Sequence, residues 1–128
     1  MSRKPEPMTN PITNRGTAFT RAERLEHGMI GRLPAAVETL EQQAQRCYRQ
    51  LQGLGCNIDR YVFLEELQNR NETLYYKLLV DHLVELLPVI YDPTVGEAIK
   101  KWSHAYRRSR AVYLSLIHIS EPTRQAEI

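Results

Sequence analysis

Leu86-Leu87-Pro88-Val89-Ile90-Tyr91-Asp92-Pro93-Thr94-Val95-Gly96-Glu97 joins two helices across a pair of prolines. A leucine-rich helix runs into Pro88 and is predicted to stop there. Proline disfavours helical backbone at the residue before it and cannot donate the next hydrogen bond. Val89–Tyr91 then reads as a short extended piece, and Pro93 sets the turn that follows. Thr94 opens a new helix, with Glu97 as its capping-box partner. Tyr91 therefore lies at a helix junction with a proline on either side. Two readings of its phenol stay open: a ring packed into a helix corner, or a rigidly held functional group.

Upstream, Asn71 can cap a helix reaching Leu87, with Leu74, Leu78, Leu79, Leu83 and Leu86 facing inward. Tyr75, Tyr76, Val80 and Val84 make this helix apolar on more than one face, so it is expected at the centre of the fold. Before it, Asn57 can cap a helix whose buried stripe is Ile58, Tyr61, Leu64 and Leu67. Earlier still, Pro34 suits the first turn of a helix with Val37, Leu40, Ala44, Tyr48 and Leu51 on one face, ended by Gly53 and Gly55. Thr20-Arg21-Ala22-Glu23 is a capping box, Phe19 sits where a hydrophobic staple begins, and a short helix follows to about His27. Downstream, a helix is expected from Val95 to about Arg107. No strand is predicted before Ala111-Val112-Tyr113, and the connections are short enough for neighbours to pack roughly antiparallel. The expected fold is all-α, about five packed helices, with the Asn71–Leu87 helix most buried.

The 128 residues suffice for one small domain with a real core. A formal charge of +2 is too small to imply a polyanionic partner. Cys47 and Cys56 have no repeated spacing and read as free thiols of a reducing, cytoplasmic compartment. No apolar run is long enough to span a bilayer, so no membrane is expected. The N-terminus carries Pro5, Pro7 and Pro11 and lacks the apolar core of a signal peptide. Lys100-Lys101 and Arg107-Arg108-Ser109-Arg110, with Trp102 and Tyr106 between them, are compatible with a nucleic-acid surface. A solvated helix C-terminus accounts for the same cations without a nucleic acid, and none is expected. His27, His82 and His104 show no ligand spacing, so no metal site is expected among them. A Gly-rich dinucleotide fingerprint is absent, so this stretch is not expected to bind a nucleotide cofactor.

Several separated motifs resemble one family. Thr13-Asn14-Arg15-Gly16-Thr17-Ala18-Phe19-Thr20, Gly31-Arg32-Leu33-Pro34, Val37-Glu38-Thr39 and Gln68-Asn69-Arg70-Asn71-Glu72-Thr73-Leu74-Tyr75-Tyr76 are similar to the opening motifs of malic enzymes. Val89-Ile90-Tyr91-Asp92-Pro93-Thr94-Val95-Gly96-Glu97-Ala98 resembles that family's N-terminal signature, and Ser103–Arg110 continues the likeness. Asp92 departs from it, standing where the family has Thr. The resemblance implies an N-terminal helical domain of an enzyme that oxidatively decarboxylates malate to pyruvate and CO2. That chemistry uses NAD or NADP and Mg2+ or Mn2+, on a homo-dimer or homo-tetramer. None of these cofactors is expected on this stretch alone, which is expected to be inactive by itself. The resemblance also implies that Tyr91 is the general acid that protonates the enolpyruvate carbon. A free phenol, with a pKa of about 10, holds its proton too tightly for that work, so a nearby cation should lower it. Asp92 would oppose the lowering if it faced the phenol, and is expected to point away.

Glu38, Arg46 and Arg70 match a dicarboxylate effector pocket of some family members. Two guanidinium groups there would clamp the two ends of fumarate, each bidentately. The competing reading is a buried Glu–Arg network at a subunit interface. The runner-up for the whole chain is a non-enzymatic helical dimerisation module.

Leu114–Arg124 resembles the in-frame translation of a transposase-type sequencing adapter. The expected organisation is a flexible arm over 1–16, the helical domain over 17–113 and a non-native tail over 114–128, truncated ahead of the family's α/β domains.

Overall fold

A computed structural model describes residues 3–101. Seven α-helices follow in order: α1 (Glu6–Thr9), α2 (Arg21–Glu26), α3 (Leu40–Gln52), α4 (Asn57–Arg70), α5 (Glu72–Asp81), α6 (Leu83–Ile90) and α7 (Thr94–Lys100), with a 3-10 turn at Gly16–Ala18. No strand occurs among the described residues, so the all-α expectation holds. The second half of the basic cluster, Ala111-Val112-Tyr113 and the adapter-like tail lie outside the described residues. No described helix is long and apolar enough to cross a membrane.

A single residue separates α4 from α5. Asn71 is extended (φ −151°, ψ 90°) and serves both helices. Its N–H donates to the Leu67 carbonyl at 2.7 Å, closing α4. Its side-chain oxygen accepts from the Leu74 N–H at 3.2 Å, opening α5 as the sequence predicts. With so short a link, Leu67 and Leu74 turn into one core, at 0% and 1% exposure. Ala44, Cys47 and Leu51 of α3, Leu64 of α4, Leu78 of α5, and Leu86 and Val89 of α6 complete it.

Five sequence expectations change. The helix predicted from Asn71 to Leu87 breaks at His82 (φ −134°, ψ 35°) into α5 and α6. There the His82 ring stacks on Tyr48 of α3, centroids 3.7 Å apart, and the Tyr48 hydroxyl donates to Glu85 of α6. That carboxylate pushes the Tyr48 phenol above its ordinary pKa. The break re-aims the second apolar face. Leu83, Val80 and Val84 are exposed, Val84 at 91%.

Second, α6 continues through Pro88 to Ile90, so Val89 and Ile90 are helical. The carbonyl that Pro88 cannot serve belongs to exposed Val84, where water can satisfy it. Third, Thr94 caps nothing: its hydroxyl donates to the Pro88 carbonyl at 2.7 Å, and Pro93 takes the N-cap position of α7. Fourth, Pro34 and Val37 lie before α3, which starts at Leu40 under a Thr39–Gln42 capping box. A capping box satisfies two free N–H groups, more than Pro34 can offer. Likewise Cys56, not Asn57, occupies the N-cap of α4, and the Asn57 side chain accepts from Arg60 instead.

The N-terminal segment makes defined contacts with this core. The Glu72 N–H donates to the Pro11 carbonyl at 2.9 Å, and the Asn14 amide donates to the Arg70 carbonyl at 2.9 Å. Arg24 of α2 is 4% exposed and has no acidic partner among the described residues. It donates instead to the carbonyls of Thr17, Phe19, Pro34 and Ala36, which fold residues 17–36 around one guanidinium. Fully satisfied donors are what make such burial tolerable.

The Thr20–Glu23 capping box forms as predicted. Accepting the Thr20 N–H lowers the Glu23 pKa. A lowered folded value means stability that is complete above the unfolded carboxylate value of about 4.3 and is lost as pH falls through the folded one. Hydrogen-exchange protection of residues 21–26 should therefore weaken on acidification below about pH 4. In Glu23→Gln, which keeps a capping partner without a charge, this local dependence should flatten.

Candidate functional site

Two groups of predicted residues come from different parts of the fold. Tyr91 ends α6 in extended backbone (φ −128°, ψ −149°). Its N–H donates to the Leu87 carbonyl at 3.0 Å, and its carbonyl accepts from the Val95 N–H at 2.8 Å. With the Thr94–Pro88 bond beside it, the main chain at Tyr91 is tied to both helices. The ring itself is 64% exposed. Thus the side chain is not packed into the corner; the corner fixes the backbone and leaves the phenol outside. An Asp92 carboxylate oxygen lies over Gly96 of α7, 3.9 Å from where a Cβ would stand. The positive end of that helix suits the charge.

The second group surrounds α3. Glu38 precedes the α3 cap, Arg46 lies on α3 and Arg70 is the last residue of α4. One Glu38 oxygen accepts from both the Thr17 hydroxyl, at 2.7 Å, and the Arg46 guanidinium. Arg70 bonds neither of them; its Nε and Nη2 donate to the two oxygens of Glu66, at 3.1 and 3.5 Å. Buried Cys47 lies among all four charges. Burial pushes its thiol pKa up, Arg70 and Arg46 oppose that rise, and Glu38 and Glu66 add to it. Glu66 escaped the sequence reading, although its spacing from Arg70 is that of a helical ion pair.

The loop Asn14–Thr17 braces the cluster. The Asn14 side chain accepts the Gly16 N–H while holding the Arg70 carbonyl. The Gln43 amide of α3 donates to the Arg15 carbonyl at 2.8 Å and to the Thr17 hydroxyl at 3.0 Å. Gly16 (φ +53°) sits between Gln43 and Asn71, where an added Cβ would stand 3.3 Å from the Gln43 amide nitrogen and 3.9 Å from that of Asn71. Both the positive φ and the close approach call for glycine. Gly16→Ala should cost about 1–2 kcal/mol, read as a lower thermal midpoint of the full-length protein.

Among the described residues, no three His, Cys, Asp or Glu side chains gather where a metal ion could bind.

Residues 68–126 match the family described as malic enzyme, N-terminal domain; the match includes Tyr91 and runs into the adapter-like stretch. A Mycobacterium tuberculosis protein, provisionally named an NAD malate oxidoreductase, is 51% identical over 114 residues, 89% of this chain and 21% of its own length. An NAD-dependent malic enzyme of Sodalis glossinidius is 50% identical over 105 residues, 82% of this chain and 19% of its own. One of Aeromonas hydrophila is 46% identical over 111 residues, 87% and 20% respectively. The chain thus spans about a fifth of the length of the curated relatives it matches. Carried on the helical corner and the braced α3–α5 core described above, this likeness places the chain in the malic enzyme family, as part of its N-terminal domain.

Proposed function

We propose that this chain supplies the general acid of an enzyme that converts malate to pyruvate and CO2 with NAD, its acid being Tyr91. One observation supports this role above the others: a main chain tied to two helices carries a phenol that is 64% exposed. A packing tyrosine would be buried, whereas an acid must reach its substrate from a fixed origin. After decarboxylation the hydroxyl gives its proton to the enolpyruvate methylene carbon, making the methyl group of pyruvate. The resulting phenolate then needs a proton from another group before the next turnover.

NAD accepts the hydride from malate when bound, and NADP would serve the same chemistry. A divalent cation, Mg2+ or Mn2+, belongs to the same proposal. The groups that hold these ligands belong to the rest of the full-length protein. The open apolar side of α5, with Tyr76 and Val80 exposed, supports assembly as a homo-dimer or homo-tetramer. Two free thiols, Cys47 and Cys56, accord with a reducing, cytoplasmic setting.

Glu38, Arg46 and Arg70 form the proposed dicarboxylate effector site. Both guanidinium groups are half-exposed, at 40% for Arg46 and 49% for Arg70, so an incoming carboxylate can reach them.

In the full-length enzyme, Tyr91→Phe should lower kcat by roughly 10²–10⁴-fold, the usual worth of a positioned acid. KM for malate should change far less, because the proton moves in the chemical step. Near-normal turnover of the variant would remove the acid role. Arg70→Ala should abolish activation by fumarate, measured as the ratio of rates with and without it.

A further inference from the structure

Arg46 and Arg70 are each held by a carboxylate, but the two holders differ. The Glu38 oxygen that holds Arg46 also takes the Thr17 hydroxyl, and the side chain is 22% exposed. It is part of the frame that braces α3. Glu66 is 44% exposed, and among the described residues its hydrogen bonds run to Arg70 alone. It presents both carboxylate oxygens to the Nε–Nη2 edge of that guanidinium. This is the side-on, two-bond grip by which an arginine holds any carboxylate.

We propose that Glu66 is a built-in competitor at this site: it occupies the edge of Arg70 that one end of a dicarboxylate would take, and so sets the concentration at which the ligand binds. The inference rests on the effector reading of Arg46 and Arg70 given above. Charge supports it. Two arginines and two glutamates sum to zero, so a dianion meets no net attraction until Glu66 swings aside. Energetics supports it too. An exposed ion pair one helical turn apart is weak, so a ligand that engages both arginines can displace it. Glu38 cannot yield in the same way without releasing Thr17. Glu66 thus tunes affinity, while Glu38 keeps Arg46 in place.

The test compares the wild-type full-length enzyme with Glu66→Gln and Arg70→Ala. Calorimetry gives the Kd for fumarate directly, alongside the fumarate concentration for half-maximal activation. Glu66→Gln keeps the helix and the side-chain length but removes the charge. Its Kd for fumarate should fall by at least about twofold, and Arg70→Ala should lose the binding altogether. Binding by Glu66→Gln where the wild type shows none would support the competitor role even more directly. If the wild type binds but Glu66→Gln binds equally or more weakly, the competitor role is overturned and the effector site stands. If neither the wild type nor Glu66→Gln binds fumarate, the effector reading is overturned and this inference with it.

Discussion

Asn71 is the residue on which the rest of the architecture turns. It stands alone between α4 and α5, and its backbone and side chain together close one helix and open the next. The short link brings the last turn of α4 and the first turn of α5 together at their apolar positions, Leu67 and Leu74. Helix ends leave carbonyl and amide groups unpaired, and burying them unpaired is costly. Here the N-terminal segment supplies the missing partners through Asn14 and Pro11. The corner thus recruits a stretch with no helical period of its own, and that stretch in turn braces α3 through Arg15 and Thr17.

Arginine serves two ends in this small domain, and solvent separates them. Arg24 is buried and spends its donors on main-chain carbonyls, so it works as a structural knot. Arg46 and Arg70 stay half-exposed and pair with carboxylates. A buried guanidinium stripped of its partners would be left uncompensated, which fixes Arg24 in one arrangement. An exposed pair exchanges one carboxylate for another at little cost, which is the property a ligand site needs. The same side chain is scaffold in one place and, in the proposed effector site, recognition group in the other, because water reaches only the second.

The corner that carries Tyr91 combines rigidity with exposure. Main-chain bonds from Leu87 and Val95, and the Thr94 hydroxyl on Pro88, fix its origin. Around it the apolar positions of α5 and α6 divide. Leu78, Leu86 and Val89 fill the core, whereas Val80, Val84 and Leu87 are exposed, as is Tyr91. The break at His82 produces this division, held by the stacked Tyr48 ring. An unbroken helix would have kept the two faces in one register and turned Tyr91 elsewhere.

What the sequence determined by itself was mostly local. Periodic leucines specified helices, the Thr20–Glu23 pattern specified a capping box, and Asn71 marked a helix start, because each depends on residues within one or two turns. The motifs around Arg70 and Tyr91 marked the positions for which a functional role is proposed above. The tertiary structure decided what those local rules could not. Helix survived past Pro88 because the orphaned carbonyl belongs to exposed Val84, and Thr94 bonded across the turn instead of capping. The predicted Asn71–Leu87 helix broke where a ring from α3 lies flat against His82. Arg24 became a buried hub only when distant carbonyls gathered around it. Each of these outcomes depends on a partner far along the chain or on access to water, and neither is written in the neighbouring residues.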